Sequence, residues 1–172
     1  GKGDTLWTSP NSFVASANCG LYCGAKIDFV DIDLQTYNMC VQKLEKKLIE
    51  AKKNGKLPKV IVVVHFSGQC SSLKKIKNLS KEYGFKIIED ASHAIGGKYL
   101  KTKIGSSKYS DVTVFSFHPV KIITTAEGGA AVTNNYQLAR MMYQLRTHGI
   151  TKDKSDFTEK NDSPWYYEQN TV

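Results

Sequence analysis

The run Val60-Ile61-Val62-Val63-Val64 constrains this chain more than any other feature. It is aliphatic throughout with no polar alternation, so it reads as a strand from Val60 to His65 that is covered on both faces. Such strands belong to parallel sheets flanked by helices. The neighbouring sequence supplies those helices. Upstream, Val41, Leu44, Leu48 and Ile49 recur at helical spacing as far as Asn54-Gly55, with Pro58 beyond. Downstream, Leu73, Ile76, Leu79 and Tyr83 form a second stripe, ended by Gly84. Further strands are expected over 26–30, 86–90, 112–116 and 129–133. A helix over 12–22 is expected to be capped by Asn11 or Ser12 and stopped by Gly24, and a last helix covers 136–145. Strand–helix–strand alternation implies right-handed crossovers. The expected fold is therefore α/β, a three-layer αβα arrangement around a mainly parallel sheet. After Gly149 the sequence turns polar and aperiodic, the pattern of a surface loop or mobile segment. Trp165-Tyr166-Tyr167 follows with no element left to pack it.

Composition narrows the classes of function. Hydrophobic residues at 41% and charged residues at 23% describe a globular chain and exclude a disordered one. At 172 residues one domain with one core is the default. The longest aliphatic run is far short of the roughly 20 residues that span a bilayer. The opening Gly-Lys-Gly-Asp-Thr-Leu-Trp has no apolar stretch of the signal-peptide kind. The expectation is a cytoplasmic protein that engages no membrane. Lysine and arginine outnumber aspartate and glutamate by 24 to 16, a net charge of +8. The lysines are dispersed over 43–59, 74–86, 98–108 and 152–160 without interleaved stacking aromatics, so solvated helix faces are expected rather than a nucleic-acid surface. Cys19, Cys23, Cys40 and Cys70 make no C-x-x-C pair and have no nearby histidine to complete a zinc site. They read as reduced structural thiols, and no metal is expected.

Open parallel sheets bind ligands at the carboxyl ends of their strands, which directs attention to two segments. The strand over 86–90 ends at Asp90 and continues Ala-Ser-His-Ala; a carboxylate at a buried strand end requires a compensating partner. The strand over 112–116 leads into Ser116-Phe117-His118-Pro119-Val120-Lys121 and then Glu127-Gly128-Gly129. A serine, a histidine and a lysine thus leave the sheet within one short stretch. A lysine desolvated beside apolar residues can lose its proton and become a nucleophile. Taken singly, an aspartate at a strand end is as well read as a helix cap, and one lysine among many as a solvated side chain.

Taken together, Glu89-Asp90-Ala91-Ser92-His93-Ala94, Phe115-Ser116-Phe117-His118-Pro119-Val120-Lys121 and Glu127-Gly128-Gly129 resemble the DegT/StrS family of sugar aminotransferases. The resemblance extends from Ser9-Pro10-Asn11-Ser12-Phe13-Val14-Ala15 through Phe29-Val30-Asp31-Ile32-Asp33 to Leu145-Arg146-Thr147-His148-Gly149. It implies a fold-type I enzyme that uses pyridoxal 5′-phosphate. Lys121 would bond the cofactor and shuttle a proton, and Asp90 would pair with its ring nitrogen. His93 would reach the ring oxygen, Ser116 would donate to the phosphate and Phe13 would stack on the ring. His118 would assist proton transfer, orient substrate or make a structural hydrogen bond. The roles of His65, Arg146 and His148 stay open, the last two between nucleotide-sugar phosphates and packing of a helix end. The motifs are most similar to the subgroup that aminates C4 of a UDP-linked 4-keto-6-deoxy-N-acetyl hexosamine in pseudaminic acid synthesis, with glutamate as donor. The alternatives are another 4-keto nucleotide sugar, of the perosamine or bacillosamine type, or an incomplete fragment that binds no cofactor. The resemblance further implies a homodimer, and residues 1–172 as the central part of a large domain, without the family's N-terminal helices and small C-terminal domain.

Overall fold

The computed structural model describes residues 1–161 and 163–169. The chain divides into two compact units, Gly1–Thr133 and Asn134–Val172. The first unit is built on a six-stranded sheet. In chain order its strands and helices are β1 (Thr5–Thr8), α1 (Ala15–Tyr22), β2 (Lys26–Phe29), α2 (Val41–Lys53), β3 (Val60–Val64), α3 (Leu73–Tyr83), β4 (Lys86–Asp90), β5 (Lys98–Tyr99), β6 (Thr102–Lys103), β7 (Val112–Ser116) and β8 (Gly129–Val132). The sheet order is β2-β1-β3-β4-β7-β8. Every pairing is parallel except β7 with β8, which is antiparallel. β5 and β6 form a separate short hairpin.

Alternating side chains divide the sheet into two faces. Trp7, Ile61, Val63 and Ile87 join Leu44, Leu48 and Ala51 of α2 and Leu73, Ile76 and Leu79 of α3 in the hydrophobic core. The opposite face carries Leu6, which packs with Ile27 close against Gly20 of α1. A Cβ on Gly20 would lie 2.6 Å from Ile27 Cδ1, so glycine lets the helix approach. Helices on both faces complete the α/β arrangement expected from the valine run. Strand ends differ from expectation by one residue: His65, Val30 and Thr133 lie just outside β3, β2 and β8.

Other local expectations are corrected. β1 was not anticipated, because its four residues are too few to show a period. α1 starts at Ala15 rather than at residue 12, and neither Asn11 nor Ser12 caps it. Asn11 instead donates to the carbonyl of Tyr37 at 2.9 Å, and Ser12 faces the Ser16 hydroxyl at 3.3 Å. Gly24 does follow the helix end with a φ of +75°, a conformation that suits glycine. In α2 the buried stripe is Leu44, Leu48 and Ala51, whereas Ile49 is exposed. α3 ends as expected, with Gly84 in the left-handed region.

The second unit holds α4 (Tyr136–Arg146), whose first turn is capped by the Asn135 side chain accepting from Leu138 N–H, and a hairpin of β9 (Ile150–Thr151) with β10 (Glu168–Gln169). The segment expected to be a loop therefore carries structure, including a single 3₁₀ turn at Lys154–Asp156. Asp156 accepts from Thr151 and Gln144 and pairs with Arg140. The aromatic cluster is partly packed: Tyr166 lies edge-on to Phe157 at 5.0 Å, while Trp165 and Tyr167 are exposed. Glu168 accepts the backbone N–H groups of Thr158 and Glu159, which hold its carboxyl below the usual glutamate range. Among the described residues no helix is long and apolar enough to cross a membrane.

Candidate functional site

The first unit contains a pocket of about 620 Å³ on the α1 face of the sheet, at the carboxyl ends of β3, β4 and β7. Its apolar lining comes from Val62 and Val64 of β3, Ile88 of β4 and Val114 of β7. These residues share a face because the parallel pairing sets Val62 opposite Ile88 and Asp90 opposite both Val64 and Val114. Val114 is 37% exposed, high for the middle of a sheet, because the pocket opens above it. Phe13, Asp90, His93, Ser116, His118 and Lys121 all line this one pocket. Residues separated by more than a hundred positions in sequence are brought to a single concavity, the usual ligand position in open α/β sheets.

Asp90 ends β4 with both carboxylate oxygens engaged. Oδ2 accepts from the Ser16 hydroxyl at 2.6 Å, and Oδ1 accepts from the Ser92 hydroxyl at 2.6 Å and the Ser92 N–H at 3.1 Å. Short bonds of this kind favour a charged acceptor. The compensation that a strand-end carboxylate requires comes from neutral donors, among them Ser16 of α1. Ser16 escaped the sequence reading because its contact with Asp90 spans 74 positions.

The Lys121 segment hangs from β7 as a closed loop. Phe117 N–H donates to Gly128 O at 2.8 Å, Thr125 N–H donates to Phe117 O at 3.0 Å, and Lys121 N–H donates to His118 O at 2.9 Å. A Cβ on Gly128 would sit 2.3 Å from Thr125 Oγ1, so a larger residue there would displace the Thr125 side chain. Within the loop, Lys121 Nζ lies 3.1 Å from His93 Nε2, which joins the β7 loop to the segment after β4. His118 accepts from Val120 N–H through Nδ1 at 3.4 Å, and its Nε2 is 4.0 Å from Glu127 Oε1. Ser116 Oγ accepts from His118 N–H at 3.4 Å, so its own proton is available to a ligand. Phe13 is 75% exposed at the pocket wall, next to the start of α1.

Behind the sheet lies a buried polar cluster that the sequence reading did not assemble. Glu89 points away from Asp90, into the core side, and is 2% exposed. Its Oε2 is 2.9 Å from Nε2 of the fully buried His65, and its Oε1 accepts from Thr113 at 3.3 Å. His65 Nδ1 accepts from Ser71 N–H at 3.2 Å. The tautomer with its proton on Nε2 satisfies both contacts, with His65 donating to Glu89. The strict alternation of β4 was the available signal: Asp90 on one face places Glu89 on the other. His65 thus has a structural partner, although it also borders the pocket. Glu89→Ala leaves the imidazole N–H and the Thr113 hydroxyl without their acceptor. The expected cost is about 3 kcal/mol or more, read as a lowered denaturation midpoint, and a change below about 0.5 kcal/mol would contradict this role.

Arg146 and His148 belong to the second unit. There the Arg146 guanidinium lies 4.5 Å from the Tyr143 ring centroid, and the His148 carbonyl accepts from the Gln169 amide at 2.8 Å.

Comparison with known proteins gives the site its context. The chain is 45% identical over 153 residues to the UDP-4-amino-4,6-dideoxy-N-acetyl-beta-L-altrosamine transaminase of Campylobacter jejuni, a match covering 89% of this chain and 39% of that protein. Among solved structures it resembles Helicobacter pylori PseC, an aminotransferase involved in the biosynthesis of pseudoaminic acid, at a TM-score of 0.83 and 32% identity. That alignment covers 99% of this chain and 41% of PseC. It also resembles NtdA of Bacillus subtilis, solved with bound cofactor PMP, at a TM-score of 0.77 and 31% identity over 93% of this chain and 34% of NtdA. The chain therefore spans about two fifths of the length of such relatives. Residues 1–164, which include the whole pocket and its lysine loop, match the DegT/DnrJ/EryC1/StrS aminotransferases, and the chain belongs to that family.

Proposed function

We propose that this chain is the central part of the large domain of an enzyme that moves an amino group from glutamate to the C4 keto group of a UDP-linked 4-keto-6-deoxy-N-acetyl hexosamine, using pyridoxal 5′-phosphate. The observation that carries the reading is the convergence of Lys121, Asp90, His93, Ser116 and Phe13 on one pocket of about 620 Å³. These residues fit the group. A carboxylate with fixed lone pairs suits a ring N–H, a hydroxyl with a free proton suits a phosphate oxygen, and aliphatic walls suit an aromatic ring. When bound, pyridoxal 5′-phosphate supplies the carbonyl that accepts the amino group and a protonated ring that withdraws electrons.

The chain's own side chains do the remaining work. Asp90 would accept the ring N–H, its two oxygens held in place by the hydroxyls of Ser16 and Ser92, which donate to them. Lys121 would hold the cofactor, and its Nζ would carry a proton to and from the reacting carbon. His93, at 3.1 Å from that nitrogen, orients it and presents a ring nitrogen to the cofactor's oxygen. Phe13 covers one ring face, and Ser116 donates to the phosphate. His118 holds the lysine loop through its bond from Val120 N–H and faces Glu127, so it orients the loop and the incoming sugar. The aliphatic lining of Val62, Val64, Ile88 and Val114 keeps water from the reacting carbon. Over a full cycle glutamate takes up the oxygen of one water and leaves as 2-oxoglutarate, and the sugar gives up its C4 oxygen as one water in exchange for the amine, so no net water is consumed or released.

The choice of sugar is supported by the Campylobacter relative and by PseC rather than by sugar-reading residues of this chain. The active form is a homodimer, consistent with the exposed apolar rim of Val14, Val120, Ile122 and Ile123 beside the pocket segments. The test is to incubate the full-length protein with glutamate, cofactor and a panel of UDP-, GDP- and dTDP-linked 4-keto sugars, following products by mass. The expected product is the UDP-linked 4-amino sugar with stoichiometric 2-oxoglutarate. Amination confined to a GDP- or dTDP-linked sugar transfers the assignment to the perosamine type of reaction, and no amination of any member overturns the reading.

A further inference from the structure

Resting on the cofactor assignment above, we infer that Ser16 of α1 is a positioning residue for Asp90, and that the relay Ser12–Ser16–Asp90 aims this carboxylate at the ring nitrogen of the bound cofactor. Three observations carry it. First, Ser16 is 5% exposed and donates to Asp90 Oδ2 at 2.6 Å. Second, among the described residues the other oxygen is held by Ser92, two positions along the same chain segment, so Ser16 is the tie between the Asp90 carboxylate and a different element. Third, Ser12 Oγ lies 3.3 Å from Ser16 Oγ.

The direction of the relay follows from counting protons. A serine hydroxyl has one proton to give, and an ionised carboxylate only accepts. Ser16 gives its proton to Asp90, so in its contact with Ser12 it must accept, and Ser12 donates. Both serines line the pocket, and Phe13 lies between them in sequence. The residue that covers a ring face and the residue that meets the ring nitrogen are thereby fixed to each other through the turn that leads into α1. Removing the Ser16 hydroxyl frees Oδ2 to rotate away and leaves the Phe13 turn without its link to β4.

The distinguishing experiment uses two cofactors on the full-length protein. Pyridoxal 5′-phosphate has the ring nitrogen; its 1-deaza analogue replaces it with a C–H and keeps the carbonyl, ring oxygen and phosphate. Dissociation constants are measured for both with the unsubstituted protein, Ser16→Ala and Ser16→Thr, alongside a denaturation midpoint for each variant. Ser16→Ala is expected to bind pyridoxal 5′-phosphate about fivefold more weakly, a smaller loss than removal of the carboxylate itself. It should bind the deaza analogue within about twofold of the unsubstituted protein, because there is no ring N–H for Asp90 to accept. Ser16→Thr, which restores the hydroxyl, should bind both as the unsubstituted protein does. An equal loss for both cofactors would show a packing role only, and an unchanged affinity for both would show no role; either overturns the inference while the cofactor assignment stands. Failure of the unsubstituted protein to bind pyridoxal 5′-phosphate at all overturns the cofactor assignment and this inference together.

Discussion

Replacement of Lys121 by alanine is expected to lower turnover by about 10³-fold or more, the range associated with loss of a positioned proton-transfer group. The structure explains why no other lysine substitutes. Lys121 is the lysine that lines the pocket, and its loop is fixed at both ends by bonds from Phe117 to Gly128 and from Thr125 to Phe117. The measurement that separates this from general damage is covalent. Borohydride treatment of the cofactor-loaded, full-length protein should leave a phosphopyridoxyl group on the peptide containing Lys121. Lys121→Ala should retain none while keeping its denaturation midpoint, since the hydrogen bond it loses, to His93, is an exposed one. Label recovered on any other lysine would contradict the assignment.

Asp90→Ala should divide two quantities that Lys121→Ala does not. In the proposed function the carboxylate would meet the ring nitrogen throughout the reaction, but its charge would matter most when electron density flows into the ring. Turnover should therefore fall by about 10²-fold or more, as for loss of a charge-stabilising group in an active site. Cofactor affinity should fall only about tenfold, the worth of one hydrogen bond to a charged group. Asp90→Asn keeps the shape and the contact with Ser16 yet should be nearly as slow, because the charge is gone. Equal losses in turnover and affinity would reduce Asp90 to a binding residue.

The sequence was most legible where a single physical demand dominated. The unbroken Val60–Val64 run could satisfy its backbone only inside a sheet and its side chains only between two layers, and β3 lies there with Ile61 and Val63 fully buried. Gly84 and Gly24 marked helix ends because their backbones take positive φ. Legibility failed where partners are distant or elements short. Four residues of β1 show no period, and Trp7 is buried through contacts with segments far along the chain. Asn11 and Ser12 have the chemistry of helix caps, but tertiary partners at Tyr37 and Ser16 claim their side chains. At the site, strand ends identified where Asp90 and Lys121 would be found; the hydroxyl that engages Asp90 from α1 could be known only once helix and sheet were assembled.

Glu89 and Asp90 are consecutive acids with opposite destinations: one is enclosed with His65 and Thr113, the other opens onto the pocket. In a strand, a slip of a single position exchanges the two sides. A deletion or insertion between Phe85 and Glu89 would thus not merely displace the pocket carboxylate. It would send the aspartate into the interior and deliver a longer acid to the cavity, and the His65 imidazole would lose the acceptor for its N–H. The buried contact acts as a proofreading device for the assembly of β4: a frame in which Glu89 finds His65 is necessarily one in which Asp90 faces the ligand. Correct folding and correct chemistry at this strand are then a single event, and a misaligned chain would be discarded for instability before it could act as a faulty enzyme.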